Sequence, residues 1–199
     1  MGLLAFPVLA SNAWQAFDAK PTRADLLRFT PMFVMLMVAT AATVSLSASM
    51  SARELNMAMA TVIVLAVFLM ASNPTLSVPP GRERIIGAVV GTLAGALGGV
   101  SSLTGPVMIM YLVSLRIGRE RFVGMISIAY VLGGIPLYVG MILIGRLGWT
   151  QFLLSIVGMV PIFIGMRMGK ALRGRISELW FRRALLAVLL VTAAVLFFK

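Results

Sequence analysis

The chain has 199 residues, of which 60% are hydrophobic and only 12% charged, and its formal net charge is +11. Soluble domains are about half apolar and about a quarter charged, so this composition predicts a polytopic membrane protein that contacts the lipid bilayer. The absence of cysteine and histidine argues against disulfides, the usual zinc sites and histidine-based catalysis. Because the basic residues lie in short loops between apolar stretches, we expect anionic lipid and no nucleic acid as their partner.

Three apolar stretches make up the first part of the chain. We predict helices at residues 2–17, 31–48 and 55–71, of which the first is too short for a full span of about 20 residues. The polar stretch 18–28 between the first two is predicted as a loop. Pro31 is predicted to lie in the first turn of the second helix, where proline is well tolerated.

The second part begins after a linker rich in proline and glycine, residues 73–84. An apolar segment at residues 85–116 follows, and glycine and hydroxyl residues interrupt it near its middle. Three further spans are predicted at 122–145, 149–166 and 184–198. The last two spans are separated by the most basic loop of the chain, which contains Arg167, Lys170, Arg173, Arg175, Arg182 and Arg183.

The segment 85–116 is predicted as a broken, re-entrant helical hairpin. Its arms would measure about 24 Å and about 15 Å, so neither comfortably spans a hydrocarbon core of about 30 Å. A hairpin places 14 basic residues on one side of the membrane and 3 on the other, whereas a single crossing gives 7 and 10. The positive-inside rule therefore favours the hairpin and makes the side with 14 basic residues cytoplasmic.

The order of spans occurs twice, which indicates an all-α fold with inverted-topology repeats. Residues 1–72 form a partial first repeat and residues 85–199 the second, within one transmembrane domain that covers 1–199. Equivalent loops carry opposite charge bias, as expected for repeats inserted in opposite directions. The first repeat has no hairpin, so we expect that a complete repeat would carry about 40 to 50 further residues.

The hairpin tip is the predicted substrate site. A helix that restarts at Pro106 leaves N–H groups unpaired and has a partial positive charge, which favours an anion near mid-membrane. The hydroxyl residues of the tip would contact the substrate or simply cap the break, and its glycines would admit close approach. The predicted substrate-binding residues here are Gly98, Gly99, Ser101, Ser102, Thr104, Gly105 and Pro106. Because this segment contains no lysine or arginine, binding should be weak.

Two polar residues of the first helix complete the predicted site. Asn12 and Gln15 lie on one side of that helix and should face the interior, where they contact either substrate or another helix. Gly87, Gly91 and Gly95 form a face of small residues four apart, which we interpret as a helix-packing surface. No predicted span has a carboxylate at mid-depth, so a carboxylate proton relay has no candidate.

The stretch GTLAGALGGVSSLTGPVMIMYLVSLRIGRERFVG, residues 91–124, resembles the second-repeat signature of the sulfite exporter TauE/SafE family. In that signature a glycine-rich break leads into a Gly-Pro pair, here Gly105 and Pro106, and an arm that ends in Tyr111 and Leu112. The resemblance extends over essentially the whole chain and includes the motifs at 12–15, 119–122 and 181–183. It implies an inner-membrane permease for small anions, often sulfur oxyanions or organosulfonates. The chain departs from the pattern in lacking the first hairpin and in having Ser101 and Ser102 where further glycine is usual.

These features together predict a multi-pass permease of the bacterial inner membrane that moves a small anion. An enzyme is not expected, because the sequence has no nucleophile–base or metal constellation, and no cofactor is implied. A homo-oligomer is compatible with the sequence. The alternative is a membrane protein that does not transport by itself: a truncated chain, or half of a split carrier that needs a partner.

Overall fold

The computed structural model describes residues 5–72 and 78–160 continuously, and separate helical positions between 164 and 195. These residues form α-helices, one short 3₁₀ turn at Pro80–Arg82 and no strand, which confirms the all-α prediction. The helices are α1 (Ala5–Asp18), α2 (Arg23–Val44), α3 (Leu46–Ser49), α4 (Ala52–Ser72), α5 (Glu83–Ser101), α6 (Gly105–Ser114), α7 (Arg119–Leu143) and α8 (Trp149–Val157). Three stretches are long and apolar enough to cross a membrane: Arg23–Ser49, Glu83–Ser101 and Glu120–Leu143.

The predicted loop at 18–28 is wrong, because most of it is helical. The chain leaves α1 at Asp18 and enters α2 at Arg23. Thr22 and Asp25 form a capping box: the Thr22 Oγ1 accepts from the Asp25 N–H at 3.2 Å, and the Asp25 carboxylate accepts from the Thr22 N–H at 3.3 Å. This cap starts the helix eight residues before Pro31, which therefore lies inside α2 and not in its first turn.

The glycine face of α5 packs against α2, which confirms the helix-packing interpretation. A Cβ added to Gly91 would collide with the Met32 carbonyl, and one added to Gly95 would collide with the Leu36 carbonyl. Helices approach this closely only where neither backbone is screened by side chains. The principal core lies around this contact and contains Phe29, Met32, Phe33, Leu36, Ala94, Met108, Tyr111, Leu112, Met125, Ile126 and Ala129.

The arms of the hairpin return to the same end of the molecule. The Tyr111 hydroxyl, in the last turn of α6, donates to the Glu83 carbonyl at the start of α5 over 2.8 Å. Arg28 pairs with the Glu83 carboxylate at 2.8 Å, and Arg121 lies 3.7 Å from Asp25. The starts of α2, α5 and α7 and the end of α6 therefore lie together at what we call the Arg28 end.

The opposite end is marked by Arg146, in the turn between α7 and α8. Its Nη2 donates to the carbonyls of Ala48 and Met50 at 3.4 and 3.1 Å, beyond the end of α2. We call this the Arg146 end. The loops near 18–28, 82–84 and 116–121 lie together at the Arg28 end. This agrees with the charge count, which places all three on one side of the membrane.

The first arm of the hairpin is longer than predicted. Helix α5 has 19 residues, so it is about 28 Å long and qualifies by length and composition as a span, whereas the ten-residue α6 does not. The extra length arises because α5 starts at Glu83, whose carboxylate is neutralised by Arg28. The basic loop after 166 and most of the predicted span 184–198 lie outside the described residues, and the repeat boundaries stay predictions.

Cysteine labelling tests the two ends directly, because the chain contains no cysteine. We expect single cysteines replacing Arg82 and Arg119 to react with an impermeant maleimide from the same side of a sealed vesicle. A cysteine replacing Ser51 should react from the other side. The cysteine-free parent provides the background, and labelling of positions 82 and 119 from opposite sides would refute the hairpin.

Candidate functional site

The break between α5 and α6 is closed by its own hydroxyl and backbone groups. Ser101 is buried, and its Oγ donates to the Leu97 carbonyl at 2.7 Å and accepts from the Leu103 N–H at 3.4 Å. Ser102 is left-handed, with φ 60°, and its N–H donates to the Gly98 carbonyl at 2.7 Å. A left-handed residue commonly ends a helix, although glycine is the usual choice. Of the two roles left open for Ser101, capping is therefore the one observed here.

The tip glycines lie against protein atoms. A Cβ added to any of them would collide with a neighbouring side chain: Thr104 for Gly98, Thr43 for Gly99 and Tyr130 for Gly105. In this conformation their small size serves close packing of the tip. Their contact with substrate stays a prediction, and it requires those neighbours to move.

Helix α6 begins without a side-chain cap. Thr104 is its N-cap residue, yet the Thr104 side chain makes no capping hydrogen bond, and Pro106 follows in the first turn. A helix start of this kind has N–H groups without intrahelical partners and about half a unit of positive charge. The predicted anion-attracting feature is therefore present at the tip.

A small cavity lies beside the tip and is lined by a cation. Its walls include Ser102 of the tip, Ser47 of α3, Leu55 of α4, Leu137 and Met141 of α7, and Arg146. The volume is about 20 Å³, which is the size of one water molecule. Arg146 was not among the site residues predicted from the sequence. The available signal was its isolation, because no other lysine or arginine lies between Arg121 and Arg167.

The depth of the tip in the membrane stays a prediction, but Ser102 of the tip lies nearer one end of the described helices than the other. It lies at the level of Leu137 and Met141, near the C-terminal end of α7 and close to Arg146. The physical reason is the length of α5, which carries the tip about 28 Å from Glu83. The tip is therefore at the Arg146 end of the molecule.

Asn12 and Gln15 are not among the described residues that line the tip cavity. The Asn12 Nδ2 donates to the Val8 carbonyl of its own helix at 2.8 Å. Gln15 lines a surface groove with Lys20 and Glu120, at the Arg28 end. Helix α1 packs along α7 and leads away from the tip as it approaches Gln15. A shared site with the hairpin tip stays a prediction.

The described lining of the tip cavity carries the positive charge of Arg146. None of the described residues that line the tip cavity is acidic. The carboxylate of Glu54, just before Leu55, accepts a hydrogen bond from the Ser51 N–H at 2.6 Å, and this bond above all holds the pKa of Glu54 below its usual range. Within the described ranges, no three His, Cys, Asp or Glu side chains come together as metal ligands would. The arrangement suits an anion and not a metal ion.

Comparison with known proteins gives one match. The family model described as sulfite exporter TauE/SafE matches residues 1–196, almost the full length of the chain. No curated protein and no solved structure matches it. The family match agrees with the resemblance of the glycine-rich stretch and of the motifs on either side of it.

Proposed function

Because the chain belongs to the sulfite exporter TauE/SafE family, we propose that it is a multi-pass permease of the bacterial inner membrane for a small sulfur-containing anion. Sulfite and short organosulfonates are the substrates that we select for testing. The family consists of membrane transporters, so we propose no enzymatic role.

The tip cavity is the observation that carries this proposal. It brings Ser102, two residues before the uncapped N-cap Thr104 of α6, into the same cavity lining as Arg146, and that lining has no carboxylate among its described residues. Partial positive charge at a helix start and a nearby guanidinium both favour an anion, and the apolar walls lower the local dielectric constant. We therefore place the substrate at the tip, where Ser102 and Thr104 are its proposed contacts.

Transport requires the site to open, since a cavity of about 20 Å³ is too small for a sulfonate group. The glycine contacts make α2 and α5 one rigid unit. We propose that α4 moves relative to this unit and to α7, whose Gly140 packs against Val44 of α2, so that the tip is alternately open and closed. Such relative movement of two bundles around a fixed site is how repeat-built carriers work.

Flux measurements test the function. Purified protein in liposomes should accumulate labelled sulfite or methanesulfonate in a saturable way, and unlabelled substrate on the same side should compete. Protein-free liposomes are the control. Absence of flux for sulfite, thiosulfate and sulfonates would contradict the proposed substrate class. Flux that appears only after addition of a second carrier subunit would instead support the half-carrier alternative.

A further inference from the structure

We propose that Arg146 is the anion-binding cation of the hairpin tip, and that it passes from backbone carbonyls to the oxygens of a bound sulfite or sulfonate. The inference rests on the proposed function, because it adds a residue and a binding event to the same site. It identifies Arg146 as the positively charged group of the site, because residues 98–106 of the tip contain no lysine or arginine.

The backbone position of Arg146 is fixed against a wall of the cavity. Both the Arg146 N–H and the Leu147 N–H donate to the Met141 carbonyl, at 2.9 and 3.0 Å, and Leu147 is buried. Gly145 makes this turn with φ +71°, which few other residues adopt without strain. Because Met141 lines the tip cavity, the turn holds the root of the arginine side chain next to that cavity.

The guanidinium of Arg146 differs from those of Arg28 and Arg121 in its partners. Arg28 and Arg121 face the carboxylates of Glu83 and Asp25. Among the described residues, Arg146 faces no carboxylate and donates only to the neutral carbonyls of Ala48 and Met50. Its guanidinium is exposed and makes no ion pair within the described residues, and the Glu54 carboxylate lies across the Met50–Ser51 peptide group from it.

An anion is a better partner for this guanidinium than two carbonyls. Hydrogen bonds between charged groups are about twice as strong as neutral ones, and the guanidinium fork matches two oxygens of one oxyanion. Sulfite and sulfonates each present three oxygens on one sulfur, so two can meet Arg146 while the third points towards the hydroxyl of Ser102. The apolar walls at Leu137 and Met141 would accept a short alkyl chain.

When Arg146 exchanges its carbonyl partners for the substrate, substrate binding also changes how the turn between α7 and α8 is held. In this structure Arg146 ties the turn between α7 and α8 to the end of α3 through Ala48 and Met50. A substrate that takes the guanidinium breaks that tie. Binding would therefore free the turn between α7 and α8 from the end of α3, whose Ser47 lines the cavity, while α7 stays packed on α2.

Direct binding tests this role separately from transport. Trp149 lies three residues after Arg146, so in a Trp14→Phe, Trp180→Phe background its fluorescence reports on this turn. The protein is titrated with sodium methanesulfonate and, under argon, with sodium sulfite. We expect Arg146→Gln to raise the Kd about tenfold or more, and Arg146→Lys to raise it less, because lysine keeps the charge but loses the fork. Arg116→Gln at the Arg28 end is the matched control, with a change below about twofold.

The outcomes separate this inference from the proposed function. An unchanged Kd in folded Arg146→Gln and Arg146→Lys protein overturns the role of Arg146, even if the wild type transports sulfite. A lower thermal midpoint without a change in Kd would show that Arg146 only caps α3, which also overturns it. Arg146-dependent binding without flux would sustain the inference and refute transport. Wild-type protein that binds neither anion refutes the inference outright.

Discussion

Replacing Gly91 by alanine is expected to lower the free energy of unfolding by about 2–4 kcal/mol. In an exposed helix the same change gains about 1 kcal/mol, because alanine is the better helix former. The sign reverses here because the new methyl group would meet the Met32 carbonyl, with the Met32 C and Cα atoms at 3.0 Å. Backbone atoms of a packed helix cannot move aside alone, so the whole contact between α2 and α5 must widen.

Two further alanine substitutions serve as controls for Gly91→Ala. At Gly134 the nearest atom to an added Cβ is the flexible Leu9 Cδ2, at 2.8 Å, and at Gly81 nothing lies within 4 Å. We expect the loss of stability to be small at Gly134 and within about 0.5 kcal/mol of zero at Gly81. The thermal midpoint of detergent-solubilised protein, followed by size-exclusion chromatography after heating, is the measurement.

Second-site changes identify the colliding atoms. Leu9→Ala should remove the cost of Gly134→Ala, because the obstacle there is a side chain. Met32→Ala should not rescue Gly91→Ala, because the obstacle there is the backbone. A Gly91→Ala protein as stable as Gly81→Ala would mean that α2 and α5 do not approach as closely as described.

This contact shows what the sequence could and could not predict. Four-residue spacing of Gly87, Gly91 and Gly95 identifies a packing face, because small residues on one side of an apolar helix have no other common purpose in a membrane. The spacing does not identify the partner. That α2 is the partner follows from tertiary packing, in which Met32 and Leu36 present their carbonyls to the glycines.

The predicted loop at 18–28 was wrong for a related reason, because the sequence does not show which helices pack together. Charged residues at 18–28 were assigned to a loop because charges are costly in lipid. The structure places all of them except Lys20 in helices, because Thr22 and Asp25 cap α2 and Arg28 is paired with Glu83. The capping box was readable in the sequence. The ion pair was not, because its partners are 55 residues apart and belong to different helices.

The candidate site could be predicted only in part for a similar reason. The broken helix and its uncapped restart are local features, and glycine, serine and proline mark them in the sequence. Arg146 reaches the same cavity from a turn that lies about 40 residues further along the chain. It does so because α7 packs against the helices of the hairpin. Only the length of α5 and the position of its break decide which turn the tip meets.

Replacing Thr104 by aspartate is expected to separate stability from anion binding. Thr104 is the N-cap of α6 and makes no side-chain cap. A carboxylate at a helix start is stabilising by about 0.3–1 kcal/mol, because it interacts favourably with the helix dipole. The same charge repels an anion bound there. At a separation of about 7 Å and an effective dielectric constant near 20, the repulsion is about 2–3 kcal/mol, which is about 30- to 150-fold in Kd.

Thr104→Asn is the matched control for Thr104→Asp. Asparagine has almost the same size and caps a helix about equally well, but it carries no charge. Both substitutions remove the Thr104 methyl group from Gly98, so that packing loss cancels in the comparison. We expect the aspartate protein to be at least as heat-stable as the asparagine protein, yet to bind methanesulfonate far more weakly and to transport it correspondingly slowly.

Acid should reverse the defect of Thr104→Asp. The carboxyl group becomes neutral as the pH falls towards its ordinary pKa near 4, whereas methanesulfonate stays ionised. The ratio of the two Kd values should therefore fall towards one between pH 7 and pH 4. Equal Kd values for the two variants at pH 7 would exclude the start of α6 as the anion site. A ratio that stays high at pH 4 would show that the aspartate acts through altered structure and not through its charge.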